Sequence, residues 1–359
     1  MPRLRSIALA TALGTTFSCA CLWDSETIYV ERIGFPSDIR MILGAFLVRS
    51  DSFHLHRKAL SLQKIADSAK ATPLDYDNLA VSLDKLHRDD SAIVVMKSKR
   101  VRYGPAYETM ANMGTFHFHL GNFAEGLPYI DSALKINPEA HFGRERYQKW
   151  LVEYILSLPK KGSPLCPAKS KRDIGRGKGE HGYAAFVAKQ EGMTRLSDSA
   201  REKAIRGVLG MMRFGNGNHP ILLESYGDLA LGRKDPFGRG LAVKAYLKAS
   251  ENSSDSSARI GYDRLASLVP KNSASLEKHY DDLRNYRIRM QWRIADMKRD
   301  RGSNFENDAN KIEAFLKGPE EEADPYEGLE TEIDLGEFDP DQDPPKWKSR
   351  RWKQYGNRR

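Results

Sequence analysis

The stretch MGTFHFHLGNFAEGLPYIDSALKINP, residues 113–138, decides the fold, because it is the cleaner of two copies of one pattern. Laid 34 residues back along the chain, Met113-Gly114 falls on Leu79-Ala80, Gly126 on Ala92, Ile130 on Met96 and Ala133 on Lys99. Gly114, Gly126 and Ala133 are small-residue slots, Gly121-Asn122 is a turn, and Pro138 is a stop. Two antiparallel helices approach closely only where one offers Gly or Ala to a large side chain of the other, and proline ends the second helix. The copies therefore read as two helical hairpins, residues 73–106 and 107–140. In the first copy the turn His87-Arg88-Asp89-Asp90 lacks glycine, and Lys99 stands in place of the small residue.

This pattern of large and small apolar positions closed by proline resembles the tetratricopeptide repeat (TPR) family, whose helix-turn-helix unit has the same period. CLWD at 21–24 and NPEAHFGRERYQKWLVEY at 137–154 extend the likeness to exported bacterial TPR-domain proteins over most of residues 21–315. The resemblance implies an all-α, TPR-type solenoid in two helical blocks, because one hairpin cannot bury its apolar face alone. It implies no activity, and points to a non-enzymatic scaffold for a protein or peptide. In such proteins the first helices of successive repeats line a groove. Carried over position by position, the groove residues are Leu74, Asp77, Val81, Asp84 and Lys85, then Glu108, Ala111, Thr115, Phe118 and His119, and on the following helix Phe142, Glu145 and Lys149. The family's carboxylate clamp of lysine, asparagine and arginine is missing, since Asp77, Val81, Ala111 and Thr115 occupy that region. The mixed acidic and apolar lining would suit a peptide with basic and hydrophobic residues.

Outward from the repeats, the N-terminus has Arg3 and Arg5, a short apolar run from Ile7 to Leu13, and small residues Ser18 and Ala20 before Cys21. These are the parts of a signal peptide cleaved near Ala20-Cys21, which places the protein in the periplasm or envelope. A lipid on Cys19 or Cys21 is disfavoured by Thr16 and Ser18, where a leucine-like residue is required. Export leaves Cys21 and Cys166 to pair or to stay reduced. The net charge of +9 drops to +7 once Arg3 and Arg5 leave, and no later apolar run is long enough to span a bilayer.

Residues 21–72 read as an N-terminal helical cap, with Ser52 starting a helix that ends near Ala69. HFGRERYQKWLVEYILSL, from His141, reads as one more helix against the second repeat, completing a unit at 73–158. Residues 159–182, rich in Gly, Pro and Lys, form a basic linker and mark the domain boundary. A degenerate TPR-like block follows at 183–270, in which Ser197 or Asp198 caps a helix. There Tyr226, Leu229, Ala230, Ala242, Tyr246 and Ala249 repeat the internal spacing of the hairpins. Residues 271–317 read as a long amphipathic helix and a short one, and 318–359 as a disordered tail, acidic and then basic.

Chemical constellations are sparse. His54/His56 and His117/His119 stand two apart on helices, so neither pair can hold one ion. No Cys/His metal spacing, phosphate-binding loop or nucleophile elbow is present, and His141 is the residue that would meet His119 across the groove. Asp89-Asp90 is expected in solvent. No cofactor and no metal is implied, and a hydrolytic role for His119 has no third member to support it. The alternative to the groove is an envelope-associated protein that binds anionic polymer or membrane surface through its basic linker and its tail, where Trp347, Trp352 and Tyr355 lie among Lys and Arg. Nucleic acid is an unsuitable partner for an exported chain.

Overall fold

Helix α4 (Pro73–Lys85) begins where Thr72 and Asp75 form a reciprocal capping box, with Pro73 in the first turn. Helix α5 (Asp89–Tyr103) has Asp89 and Asp90 in its first turn and Arg100 and Arg102 in its last, and stops at Gly104 with φ 79°. Helices α6 (Tyr107–His119) and α7 (Phe123–Ile136) form the second hairpin around Gly121 at φ 76°. The computed structural model describes residues 21–33, 38–42, 49, 51–158, 179–234 and 236–269, and all regular structure among them is helical.

The glycines of the second hairpin sit at its closest approach. A Cβ on Gly114 would lie 2.5 Å from Ile130 Cδ1, and one on Gly126 would lie 2.5 Å from the Phe118 ring and 2.9 Å from the Gly114 carbonyl oxygen. No side chain fits between the two backbones, which is the packing that the small-residue slots require. In the first hairpin the position equivalent to Gly121 is His87, and it adopts φ 56°. The turn geometry is thus kept without the residue that makes it easy.

Before the hairpins lie α1 (Ser25–Ile33), α2 (Asp38–Ile42) and α3 (Asp51–Ala66), the last packed along α4. After them a 3-10 turn, Ala140–Gly143, leads into α8 (Arg144–Ser157). The helix expected from His141 therefore starts three residues late, and Phe142 falls in the turn rather than on the helix. Positive φ values at His141 (48°) and Gly143 (73°) account for the delay.

The second block contains α9 (Gly182–Gln190), α10 (Asp198–Phe214), α11 (Pro220–Leu231), α12 (Pro236–Asn252) and α13 (Ser256–Leu268). Ser197 caps α10 by accepting from the Ala200 N–H at 3.1 Å. In the α11/α12 hairpin all six residues of the recurring spacing, Tyr226, Leu229, Ala230, Ala242, Tyr246 and Ala249, are fully buried. The two blocks share one hydrophobic core, running from Phe118, Ile130 and Leu151 through Val208 to Tyr226 and Tyr246. The blocks pack tightly where α10 crosses α8, since a Cβ on Gly207 or Gly210 would come within 2.6 Å of Tyr147 or Arg144. The Gly- and Lys-rich stretch thus separates the blocks in sequence but not in the core. Among the described residues no helix is long and apolar enough to cross a membrane. The leader, most of the linker with Cys166, the helices expected at 271–317 and the tail lie outside the described residues.

Candidate functional site

The face made by α4, α6 and α8 carries the chain's own N-terminal segment. Two asparagines hold it by the main chain. Asn78 Oδ1 accepts from the Ser25 N–H at 2.9 Å, and Asn112 Oδ1 accepts from the Trp23 N–H at 2.8 Å. Asn112 Nδ2 also donates to the Trp23 carbonyl at 3.0 Å, and Thr115 Oγ1 donates to the Cys21 carbonyl at 3.2 Å. Asn78 and Asn112 are 34 residues apart, so one residue type at one repeat position makes the same contact twice.

Side chains then fix the segment. The Trp23 ring meets Tyr107 edge-on at 5.6 Å and His141 at 4.7 Å. Asp24 pairs with the fully buried Arg57 at 2.6 Å, and Arg57 donates to Ser82 Oγ at 2.7 Å. Further along, Glu31 of α1 binds His141 at 2.7 Å and Arg144 at 3.2 Å. Such a dense set of desolvated pairs is costly to break singly, because each broken pair leaves an uncompensated charge.

Beside the segment, a cavity of about 360 Å³ lies between the first hairpins and the turn after α10. Its walls come from Leu22, Asp24, Glu26 and Thr27, from His54 on α3, from the last turn of α4 through Asp89, from His119, and from Met212–Asn218. Lys85 donates to the Phe214 carbonyl, tying the two blocks together across it. On one wall three side chains converge: His119 Nδ1 bonds Asp84 Oδ1, and Asp89 Oδ1 is 3.5 Å from the same nitrogen. Burial opposes a charge on His119, but the two carboxylates outweigh it and hold the pKa up at about 9. For Asp84 burial is likewise outweighed, by the imidazolium, and its pKa lies below the usual carboxylate range. Burial, with the Asp84 carboxylate beside it, pushes Asp89 the other way. His54 is held well below the usual imidazole value by burial and then by Arg57 and Lys85, so its ring is neutral.

The groove positions carried over from the repeat family are distributed unevenly. Val81, Ala111 and Thr115 are buried under the N-terminal segment's side of the molecule, while Asp77 is buried in an ion pair with Lys99 at 2.6 Å. Lys99, the misfit in the small-residue register, is thereby accounted for. Asp84, Lys85 and His119 meet at the cavity. Glu145, fully buried, accepts from the Tyr107 hydroxyl at 2.5 Å. Lys149 pairs with Asp131 on α7 at 2.6 Å, Glu108 is half-buried and Leu74 is exposed. Phe118 turns inward to Gly126, since it stands four residues from Gly114 on the same helical face. Of Phe142 only its place in the 3-10 turn is described.

Two sequence expectations fail here. His141 reaches Glu31, not His119, and Asp89 faces His119 with a side chain only 12% exposed, rather than standing in solvent. Sequence reading also passed over Asn78, Asn112 and Arg57. The asparagine pair had a usable signal, an identical polar residue at the repeat offset on the inner face. Arg57 had none, because only folding brings Asp24 to it. Comparison of the chain with protein-family models, curated proteins and solved structures returns no match.

Proposed function

We propose that the chain is an exported, non-enzymatic scaffold of tetratricopeptide type that grips, on the α4–α6–α8 face, a short non-helical stretch of polypeptide running into the start of a helix. The observation that carries this reading is the paired grip of Asn78 and Asn112 on main-chain N–H groups. Main-chain contacts supply affinity for a segment that, like residues 21–25, is non-helical up to the first residue of a helix, and the surrounding pockets select side chains. The pocket between Tyr107 and His141 accepts an aromatic ring, and Arg57 accepts the acid that follows. In this chain residues 21–25 fill those places, so a protein or peptide partner must compete with a tethered occupant at high effective concentration. Arg3, Arg5, the apolar run Ile7–Leu13 and the small residues Ser18 and Ala20 support export to the periplasm or envelope, with N-terminal sequencing of the mature chain expected to begin at Cys21.

The test separates the segment from its tether. A specific protease site introduced within residues 34–37 is cut in the otherwise complete protein, and a fluorescent peptide of residues 21–33 is added. Saturable exchange into the cut protein is expected, with loss of exchange in the Asn78→Ala/Asn112→Ala variant. A cut protein that keeps its helical circular dichroism but takes up no peptide refutes the scaffold reading. So does equal uptake with both asparagines replaced.

A further inference from the structure

We propose that Asp84, Asp89 and His119 form a binding site for a divalent transition-metal ion of the zinc class, open to the cavity between the two blocks. The inference is independent of the peptide-gripping face.

The ligands come from three well-fixed places. Asp84 is in the last turn of α4, Asp89 is the first residue of α5 in the same hairpin, and His119 is the last residue of α6. One ligand atom from each lies within 4.8 Å of the other two. Nitrogen and oxygen ligands bind zinc at about 2.0–2.2 Å, so an ion between them needs only rotamer adjustments. One imidazole and two carboxylates match that ion. Calcium and magnesium prefer oxygen alone, whereas imidazole suits zinc and its neighbours.

Charge supports the same conclusion. Two carboxylates converge on one imidazole nitrogen, where a proton brings only a single positive charge; a divalent ion would take that proton's place on Nδ1, release it to solvent and balance both carboxylates. Lys85, next in sequence to Asp84, is directed to the Phe214 carbonyl. Asp89 Oδ1 is buried, and its contact with His119 Nδ1, at 3.5 Å, is too long for a well-formed hydrogen bond. A buried carboxylate oxygen left unsatisfied is costly, and a bound cation removes that cost. A second, separate observation comes from another helix. His54, on α3, is 4% exposed and lines the same cavity, and its Nδ1 has no partner. It is a neutral imidazole with a free acceptor on the wall of the cavity into which the site opens, suited to accept from water held there. Three protein ligands with an open side toward a cavity of about 360 Å³ give a site that ions and water can enter.

The test uses the full-length protein, stripped with chelator and titrated with Zn2+ by calorimetry, with bound metal measured by mass spectrometry after gel filtration. Co2+ serves as a spectroscopic probe of nitrogen and oxygen ligation, and Mg2+ as the control. The expected result is one equivalent of Zn2+, bound at least about tenfold more weakly in Asp89→Asn and in His119→Gln, the range seen when metal surroundings are altered. His119→Gln removes a buried ion pair, so helical content is checked. Asp89→Asn, at the cavity edge, tests the site in a fold that stays intact. Wild-type protein that retains no Zn2+ and gives no Co2+ visible band overturns the proposal. Zn2+ binding that is unchanged in Asp89→Asn also overturns it, because the ion is then held elsewhere.

Discussion

Replacing Gly126 with alanine gives opposite outcomes depending on whether α6 and α7 truly meet at the two glycines. The new methyl would lie 2.5 and 2.6 Å from two Phe118 ring carbons and 2.9 Å from the Gly114 carbonyl oxygen. Relaxed carbon contacts need about 3.5–4.0 Å, so the ring or a backbone must move by roughly 1 Å. Phe118 is fully buried, and the Phe123 ring centroid stands only 6.1 Å away, so the ring has little room. Such overpacking costs about 1–3 kcal/mol or more. Alanine is about 1 kcal/mol better than glycine inside a helix, which offsets part of that cost. A net destabilisation of about 1–2 kcal/mol is expected, read from urea unfolding followed by circular dichroism. Adding Phe118→Leu should make the double variant less destabilised than the sum of the singles by more than about 0.5 kcal/mol. If Gly126→Ala instead stabilises the protein by about 1 kcal/mol, the glycine faces open space and the hairpin packing is wrong.

Other outcomes follow from single residues. Asn112→Ala strands the half-buried Trp23 N–H and carbonyl and should cost about 1–3 kcal/mol, with faster amide exchange at residues 22–25; a loss below about 0.5 kcal/mol with unchanged exchange refutes its clasping role. His87→Gly relieves an L-residue held at φ 56° and should stabilise by about 0.5–1 kcal/mol in thermal unfolding, whereas a loss would mean that the His87 side chain contributes more than its backbone costs. Asp228 accepts from the Tyr183 N–H and the Tyr246 hydroxyl, each at 2.8 Å, and faces His181 at 3.9 Å. Burial pushes its pKa up to about 6, against an unfolded value of about 3.9, so its contribution to stability is greatest below pH 4 and is lost as pH rises through 6. Asp228→Asn should therefore gain on the wild type between about pH 4.5 and pH 7.5 in urea midpoints, and a difference that is flat with pH refutes the assignment.

Much of the helical plan was legible in the chain before folding. Periodic apolar residues, Ser197 as a cap and the paired small residues are local signals, and local signals act through backbone hydrogen bonds and sterics within a few residues. The six-residue register of the α11/α12 hairpin was readable for the same reason. His141 and Gly143 delayed α8 by a left-handed conformation that the amphipathic spacing did not reveal.

What the sequence by itself determined was therefore the helical character of the described chain, the two hairpins between residues 73 and 140, and the need for Gly114 and Gly126 between the backbones of the second. Tertiary structure alone decided that residues 21–25 lie on the α4–α6–α8 face, that the blocks on either side of the linker share a core, and that Asp84, Asp89 and His119 converge. These contacts join residues from tens to more than a hundred positions apart, as with Asn112 and Trp23 or Lys85 and Phe214. No periodicity encodes such pairings. They arise from burial, which forces each desolvated charge and main-chain group to find whatever partner the packed helices bring within reach.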